Sequence, residues 1–221
     1  RGPFFTGENY GKRWYNKRIW YWKLFGRSYI FTRFSHNKSK YRRINSVVSQ
    51  LPLELIGRKE LNLDIDIKED GNSVRENAVK KARGYYDRVQ IPAFAIDSGL
   101  YIDKFPEEKQ PGILVRRING ERATDQEMVD YYKKELEKVG GRSKGRWISA
   151  FVFVLDEDNI KTYKLKEERI FTTEMSSERE EGLPLSSMAV DPNLGKYVAE
   201  ITEAERKSSE KETDKNIYNM F

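Results

Sequence analysis

Three clusters along the chain carry residue types able to act on a phosphorylated substrate. Ser35-x-Asn37-x-x-Lys40 offers a hydroxyl, an amide and an ammonium between an expected strand and an expected helix. Backbone N–H groups at a helix N-terminus favour anions, so this stretch could cradle a triphosphate; small polar residues there are also ordinary helix caps. Glu76-Asn77-Ala78-x-x-Lys81-Ala82 occupies the first turns of a second expected helix, where Glu76 is equally the capping-box partner of Ser73 and Lys81 a solvated surface residue. Asp97-Ser98-Gly99-Leu100 follows a short apolar strand. A carboxylate at the end of a buried strand sits where open α/β sheets bind ligands, or forms a plain Asx-turn. If Glu76 and Asp97 converge, two carboxylates plus substrate phosphates suit Mg²⁺. One of them could then activate a metal-associated water for attack on phosphorus. His36, the one histidine, is incidental to this set.

Composition narrows the chemistry further. The 221 residues contain no Cys and one His, which excludes a disulfide framework, a Cys-based zinc site, an iron–sulfur cluster and thiol catalysis. No apolar run approaches the ~18 residues of a membrane span, so a cytoplasmic protein without a membrane partner is the default expectation. Charge is unevenly placed. Residues 1–43 hold 12 Lys/Arg and one acid, whereas residues 44–221 carry a net −5. Trp14, Trp20 and Trp22 lie in that basic segment. Basic charge interleaved with aromatics suits nucleic acid or a membrane surface. The plainer expectation is a leader or a poorly ordered extension over residues 1–28, with nucleic acid an unlikely partner because the remainder is mildly acidic.

The positioning elements are legible from residue 28 onward. Ser28–Phe34 reads as a strand, and Ile44, Val47, Val48 and Leu51 fall on one helical face that Pro52 ends. Leu53–Gly57 reads as a second strand, and Leu61, Leu63, Ile65 and Ile67 as a half-exposed extended stretch. Ser73-x-x-Glu76 caps a helix to about Asp87, Ile91–Ile96 forms a buried strand ending in Asp97-Ser98-Gly99, and residues 101–123 form loops with an extended piece at 113–115. Thr124-x-x-Glu127 caps a helix to about Val139; Trp147–Leu155 and Ile160–Phe171 form a hairpin, and a charged helical tail follows Thr202. The order implies an α/β domain with a mixed sheet, spanning residues 29–221.

In this order and spacing the clusters resemble the inosine triphosphate pyrophosphatase-like family, whose motifs are T-x-N-x-x-K, E-N-A-x-x-K-A, D-D-S-G-L and P-G-x-x-x-x-R. Pro111-Gly112 with Arg117 supplies the last of them here, and the match covers roughly residues 30–211. The resemblance implies an elongated mixed sheet flanked by helices, two lobes with a central cleft, and a homodimer. It implies Mg²⁺-dependent cleavage of a nucleoside triphosphate to the monophosphate and pyrophosphate, removing deaminated purine nucleotides such as ITP, dITP and XTP. By position, Ser35, Asn37, Lys40, Lys81 and Arg117 would bind phosphate, Glu76 and Asp97 would hold the metal and perform catalysis, and Leu183, Leu185 and Lys207 would fall at the base. Two departures stand out. The first Asp of D-D-S-G is Ile96 here, and the aromatic G-F-G-Y-D-P base pocket reads Gly182-Leu183-Pro184-Leu185-Ser186-Ser187. Loss of the aromatic face forfeits roughly 1 kcal/mol of stacking. A catalytically weak nucleotide-binding homologue, or a nucleic-acid-binding protein acting through the basic N-terminus, are the alternatives.

Overall fold

The computed structural model describes residues 28–32, 44, 45, 47, 53–57 and 65–219. Two parallel strands open it, β1 (Ser28–Thr32) and β2 (Leu53–Gly57), with residues 44, 45 and 47 helical between them. Helix α1 (Val74–Val89) leads to β3 (Ala93–Ile102), which pairs parallel to β1. A two-residue ribbon, β4 (Arg117–Ile118) with β5 (Glu121–Arg122), precedes helix α2 (Asp125–Glu137). The long hairpin β6 (Arg142–Val154) and β7 (Ile160–Thr172) follows, then β8 (Ala189–Asp191), β9 (Lys196–Tyr197) and helix α3 (Glu203–Tyr218). One seven-stranded sheet in the order β2-β1-β3-β6-β7-β8-β9 carries the fold, and every pairing from β3 onward is antiparallel.

Strand alternation sorts side chains onto two faces. Ala93 and Ala95 of β3, with Ala150, Val152 and Val154 of β6, face α1 and pack on its Val74, Ala78, Ala82 and Tyr85. Alanine on both partners lets the helix lie close to the sheet. Phe94, Phe151, Phe153 and Leu165 face the other way, onto Ile44, Val47 and Ile217 of α3. A third cluster, including Leu100, Ile102, Met128, Tyr132, Leu136, Phe171 and Met188, joins α2 to the far end of the sheet.

Several sequence expectations are corrected here. Strand β3 does not stop at Ile96: it runs through Asp97-Ser98-Gly99 to Ile102, because Asp97–Ile102 pair in register with Gly145–Ala150 of β6. Local turn chemistry yields to a complete ladder. Strand β6 likewise starts at Arg142, five residues before Trp147. Residues 113–115 form a turn, with Val115 buried beside α2 and Ile113 packed on the α1 cluster. The alternation of Ile65 and Ile67 holds as burial against exposed Asp66 and Lys68, although neither belongs to a strand. Both helix starts read from sequence are present: Ser73 Oγ accepts from Glu76 N–H, and Thr124 closes a reciprocal capping box with Glu127. Among the described residues no helix is long and apolar enough to cross a membrane.

Candidate active site

Asp97 lies mid-strand on the face that β3 presents to α1, opposite Ala150 in the ladder. Lys81, on the buried face of α1, reaches down to it: Nζ lies 2.7 Å from Asp97 Oδ1 and 2.8 Å from Glu69 Oε2. Lys81 is 7 % exposed and Asp97 9 %, so water screens this contact poorly. One enclosed ammonium thus bridges two carboxylates, one from the strand and one from the segment leading into the helix.

That leading segment is placed by the helix it precedes. Asn77, 3 % exposed, accepts the Gly71 N–H on Oδ1 at 2.8 Å. A Cβ on residue 71 would stand 2.7 Å from that oxygen and 2.8 Å from Glu76 Cβ, so only glycine allows the approach. Asp70 is engaged outward: the Lys80 and Lys68 ammonium groups hold its carboxyl down at about 2. Glu69 is left to face Lys81.

Glu76 sits on the first turn of α1 and accepts the Asn72 N–H on Oε2 at 2.9 Å. Its carboxylate therefore closes the cap from one residue earlier than the Ser73 expected for a capping box. The D-S-G-L and P-G motifs, distant in sequence, meet directly. Leu100 and Gly112 exchange both backbone hydrogen bonds at 2.9 Å, and a Cβ on Gly99 would stand 2.8 Å from the Gly112 carbonyl. Arg117 follows on β4 with an exposed side chain, its Nη1 donating to the Gly120 carbonyl at 3.5 Å.

Ile96, where the resemblance calls for a second Asp, lies on the opposite face of β3 and packs with the Phe94, Phe151 and Phe153 cluster. The Asp97–Lys81–Glu69 arrangement does not depend on that position. Of the base-side residues, Leu185 is 4 % exposed and belongs to the α2 core, Leu183 is half-buried, and Lys207 is exposed on α3. Ser35, Asn37 and Lys40 lie outside the described residues.

Glu69 was missed in the sequence because a Lys-Glu-Asp triplet before a glycine reads as a solvated turn. The usable signal was its place at the end of the Ile65/Ile67 alternation, immediately upstream of the E-N-A helix. The donor set fits Mg²⁺: it is all oxygen, and that ion is held by one or two carboxylates with substrate phosphates completing the shell. Among the described residues no group of three or more His, Cys, Asp or Glu side chains is gathered to hold a metal.

Comparison with known proteins adds to this geometry. The Ham1 family model matches residues 31–212. The dITP/XTP pyrophosphatase of Caldanaerobacter subterraneus subsp. tengcongensis is 32% identical over 123 residues, 55% of this chain and 60% of that protein. The dITP/XTP pyrophosphatase of Geobacter sulfurreducens is 34% identical over 105 residues, 48% of this chain and 52% of that protein. The chain thus spans between half and two thirds of the length of these relatives. Among solved structures, a HAM1 protein from Coxiella burnetii superposes with a TM-score of 0.72 at 22% identity, covering 87% of this chain and 99% of that one. The nucleoside-triphosphatase / dITP/XTP pyrophosphatase from Mycobacterium abscessus gives 0.66 at 21% identity, covering 86% and 97%. At such identities the superpositions establish the fold.

Proposed function

The chain belongs to the Ham1 family, and from that premise we propose that it is a Mg²⁺-dependent hydrolase splitting a purine (d)NTP into (d)NMP and pyrophosphate, with inosine and xanthine nucleotides as substrates. The observation that carries this reading is the Lys81 ammonium bridging Glu69 and Asp97 on the α1 face of the sheet.

Asp97 is the group placed to take the proton of an attacking water. Its burial keeps the carboxylate out of bulk solvent, and Lys81 Nζ at 2.7 Å fixes the direction in which its oxygens point. Glu69, with Asp97 beside it, would hold Mg²⁺. When bound, that ion supplies charge neutralisation at the phosphates and lowers the pKa of a bound water. Arg117, Lys81 and the Ser35, Asn37 and Lys40 set would fix the triphosphate, which is most of what phosphoryl-type displacement requires of a protein. The central cleft between two lobes and the homodimer belong to the same proposal.

Glu69→Gln is expected to raise the Mg²⁺ concentration needed for half-maximal turnover by about tenfold, in line with loss of a metal-site carboxylate. Glu76→Gln, which keeps an acceptor for the Asn72 N–H, is expected to raise it less. The reverse ranking would make Glu76 the principal ligand. The substrate assignment is tested by a panel of ITP, XTP, dITP, dUTP and the four standard NTPs with Mg²⁺, assaying pyrophosphate and orthophosphate separately. Pyrophosphate release highest with ITP, dITP or XTP is expected. A preference for a standard NTP would overturn the base assignment, and orthophosphate alone would overturn the reaction.

A further inference from the structure

The rewritten base-side segment is held from outside by a closed polar ring. Arg116 donates from Nη1 to Asp125 Oδ1 at 2.7 Å and from Nη2 to the Gly182 carbonyl at 2.8 Å. The Gly182 N–H in turn donates to Asp125 Oδ2 at 2.8 Å. Both backbone groups of one residue are therefore read by the two halves of one ion pair. The planar guanidinium fork suits this double task in a way a lysine does not. Gly182 has φ of +79°, a conformation that glycine holds without strain.

Each partner has a reason to stay in place. Asp125 is the first residue of α2, where the helix dipole favours a negative charge. Burial pushes its carboxyl up, but the Arg116 guanidinium and the Gly182 N–H outweigh that and hold it below the usual range. Beyond Gly182 the segment is anchored independently, through Leu185 and Met188 in the α2 core. The ring therefore acts at one point, where the chain leaves residues 177–181 and enters that core. Its side chains are 33 % and 41 % exposed, so as an ion pair it adds little to stability. What it fixes is geometry.

We infer that Arg116 and Asp125 are positioning residues, latching the Gly182–Ser187 segment to the turn that carries Arg117 and so setting nucleotide selection. This rests on the nucleotide-hydrolase reading. Arg116 and Arg117 are consecutive, so the stretch proposed to meet the phosphates also holds the segment whose half-buried Leu183 the family resemblance sets at the base. A small displacement at such a junction is enough to cost a large factor in productive binding.

The test compares full-length wild type with Arg116→Ala, Arg116→Lys and the swap R116D/D125R. Two quantities are read: amide exchange of the peptide covering 178–186 without nucleotide, and kcat and KM across the purine triphosphate panel. In Arg116→Ala, exchange at Gly182 and Leu183 is expected to accelerate. The ratio of kcat/KM between the preferred and the poorest base is expected to fall by about tenfold, mostly through KM. Arg116→Lys keeps the charge but not the fork and is expected to behave like the alanine variant. The swap restores opposite charges but places a donor-only side chain against the Gly182 N–H, so it is expected to rescue neither quantity. Rescue by the swap would reduce the ring to a structural ion pair and overturn the proposal. Unchanged exchange in Arg116→Ala would overturn the latch, and faster exchange with an unchanged ratio would overturn its role in selection. Should the wild type turn over none of the panel, the hydrolase reading fails by itself. The exchange data then still decide the latch, and the dissociation constants of the same nucleotides decide selection.

Discussion

Asp97→Asn is expected to lower turnover by about 10²–10⁴-fold, the range typical of a lost general acid–base group. The protein is expected to remain folded, for a specific reason. Asparagine keeps the shape of the side chain and an acceptor for Lys81 Nζ, and Lys81 retains Glu69 at 2.8 Å as its counter-charge. No buried charge is left alone, which is the condition that makes removal of one member of an ion pair costly. The measurement is kcat with saturating Mg²⁺ and nucleotide, accompanied by a thermal melt. A variant that keeps more than a tenth of wild-type turnover would remove Asp97 from the chemistry. The expectation is unaffected by Ile96, because residues 96 and 97 project from opposite faces of β3 and only the latter meets Lys81.

Lys81→Met is the second large effect, and its size depends on metal. Without Lys81 the Glu69 and Asp97 carboxylates face one another with no cation between them, and the Asp97 side chain is only 13 % exposed. Breaking an enclosed pair in this way costs about 3–5 kcal/mol. Glu69 is 38 % exposed on its side chain and is partly screened, so the lower end applies. For a chain of this size about 3 kcal/mol corresponds to a fall of roughly 6–12 °C in Tm. Mg²⁺ is expected to return part of that loss, since a ligand at 100 times its Kd stabilises by about 2.7 kcal/mol. Its stabilisation of Lys81→Met should exceed its stabilisation of the wild type, where Lys81 already neutralises the two carboxylates. Equal Mg²⁺-induced shifts in the two proteins would mean that the ion does not bind at Glu69 and Asp97.

Features written in local chemistry were readable before any coordinates. The Ser73-x-x-Glu76 and Thr124-x-x-Glu127 caps start the helices where expected, because side chain-to-backbone bonds span three residues and show in the sequence. The β6–β7 hairpin was legible as two strand-like runs on either side of Asp156–Asn159. What escaped was decided across the sheet or between loops. Asp97-Ser98-Gly99 has the composition of a turn and becomes strand only because Gly145–Ala150 lie alongside. Adjacent Arg116 and Arg117 are equivalent on paper; the turn at 113–116 sends the first to Asp125 and Gly182 and leaves the second exposed. The burial of Leu185 is likewise tertiary: the short helical turn Pro184–Ser187 carries it into the α2 core. The role of the charged Glu69 follows from a contact between loop and helix, where Asn77 fixes Gly71 against α1.

The central claim is that the Glu69–Lys81–Asp97 centre serves α–β cleavage of a nucleoside triphosphate. Its most direct test is a product balance on ITP with Mg²⁺, counting IMP, pyrophosphate and orthophosphate for the wild type and Asp97→Asn side by side. Equal amounts of IMP and pyrophosphate from the wild type, dependent on Mg²⁺ and lost in the variant, are the predicted result. IDP with orthophosphate, or product formation that survives the substitution, would contradict it.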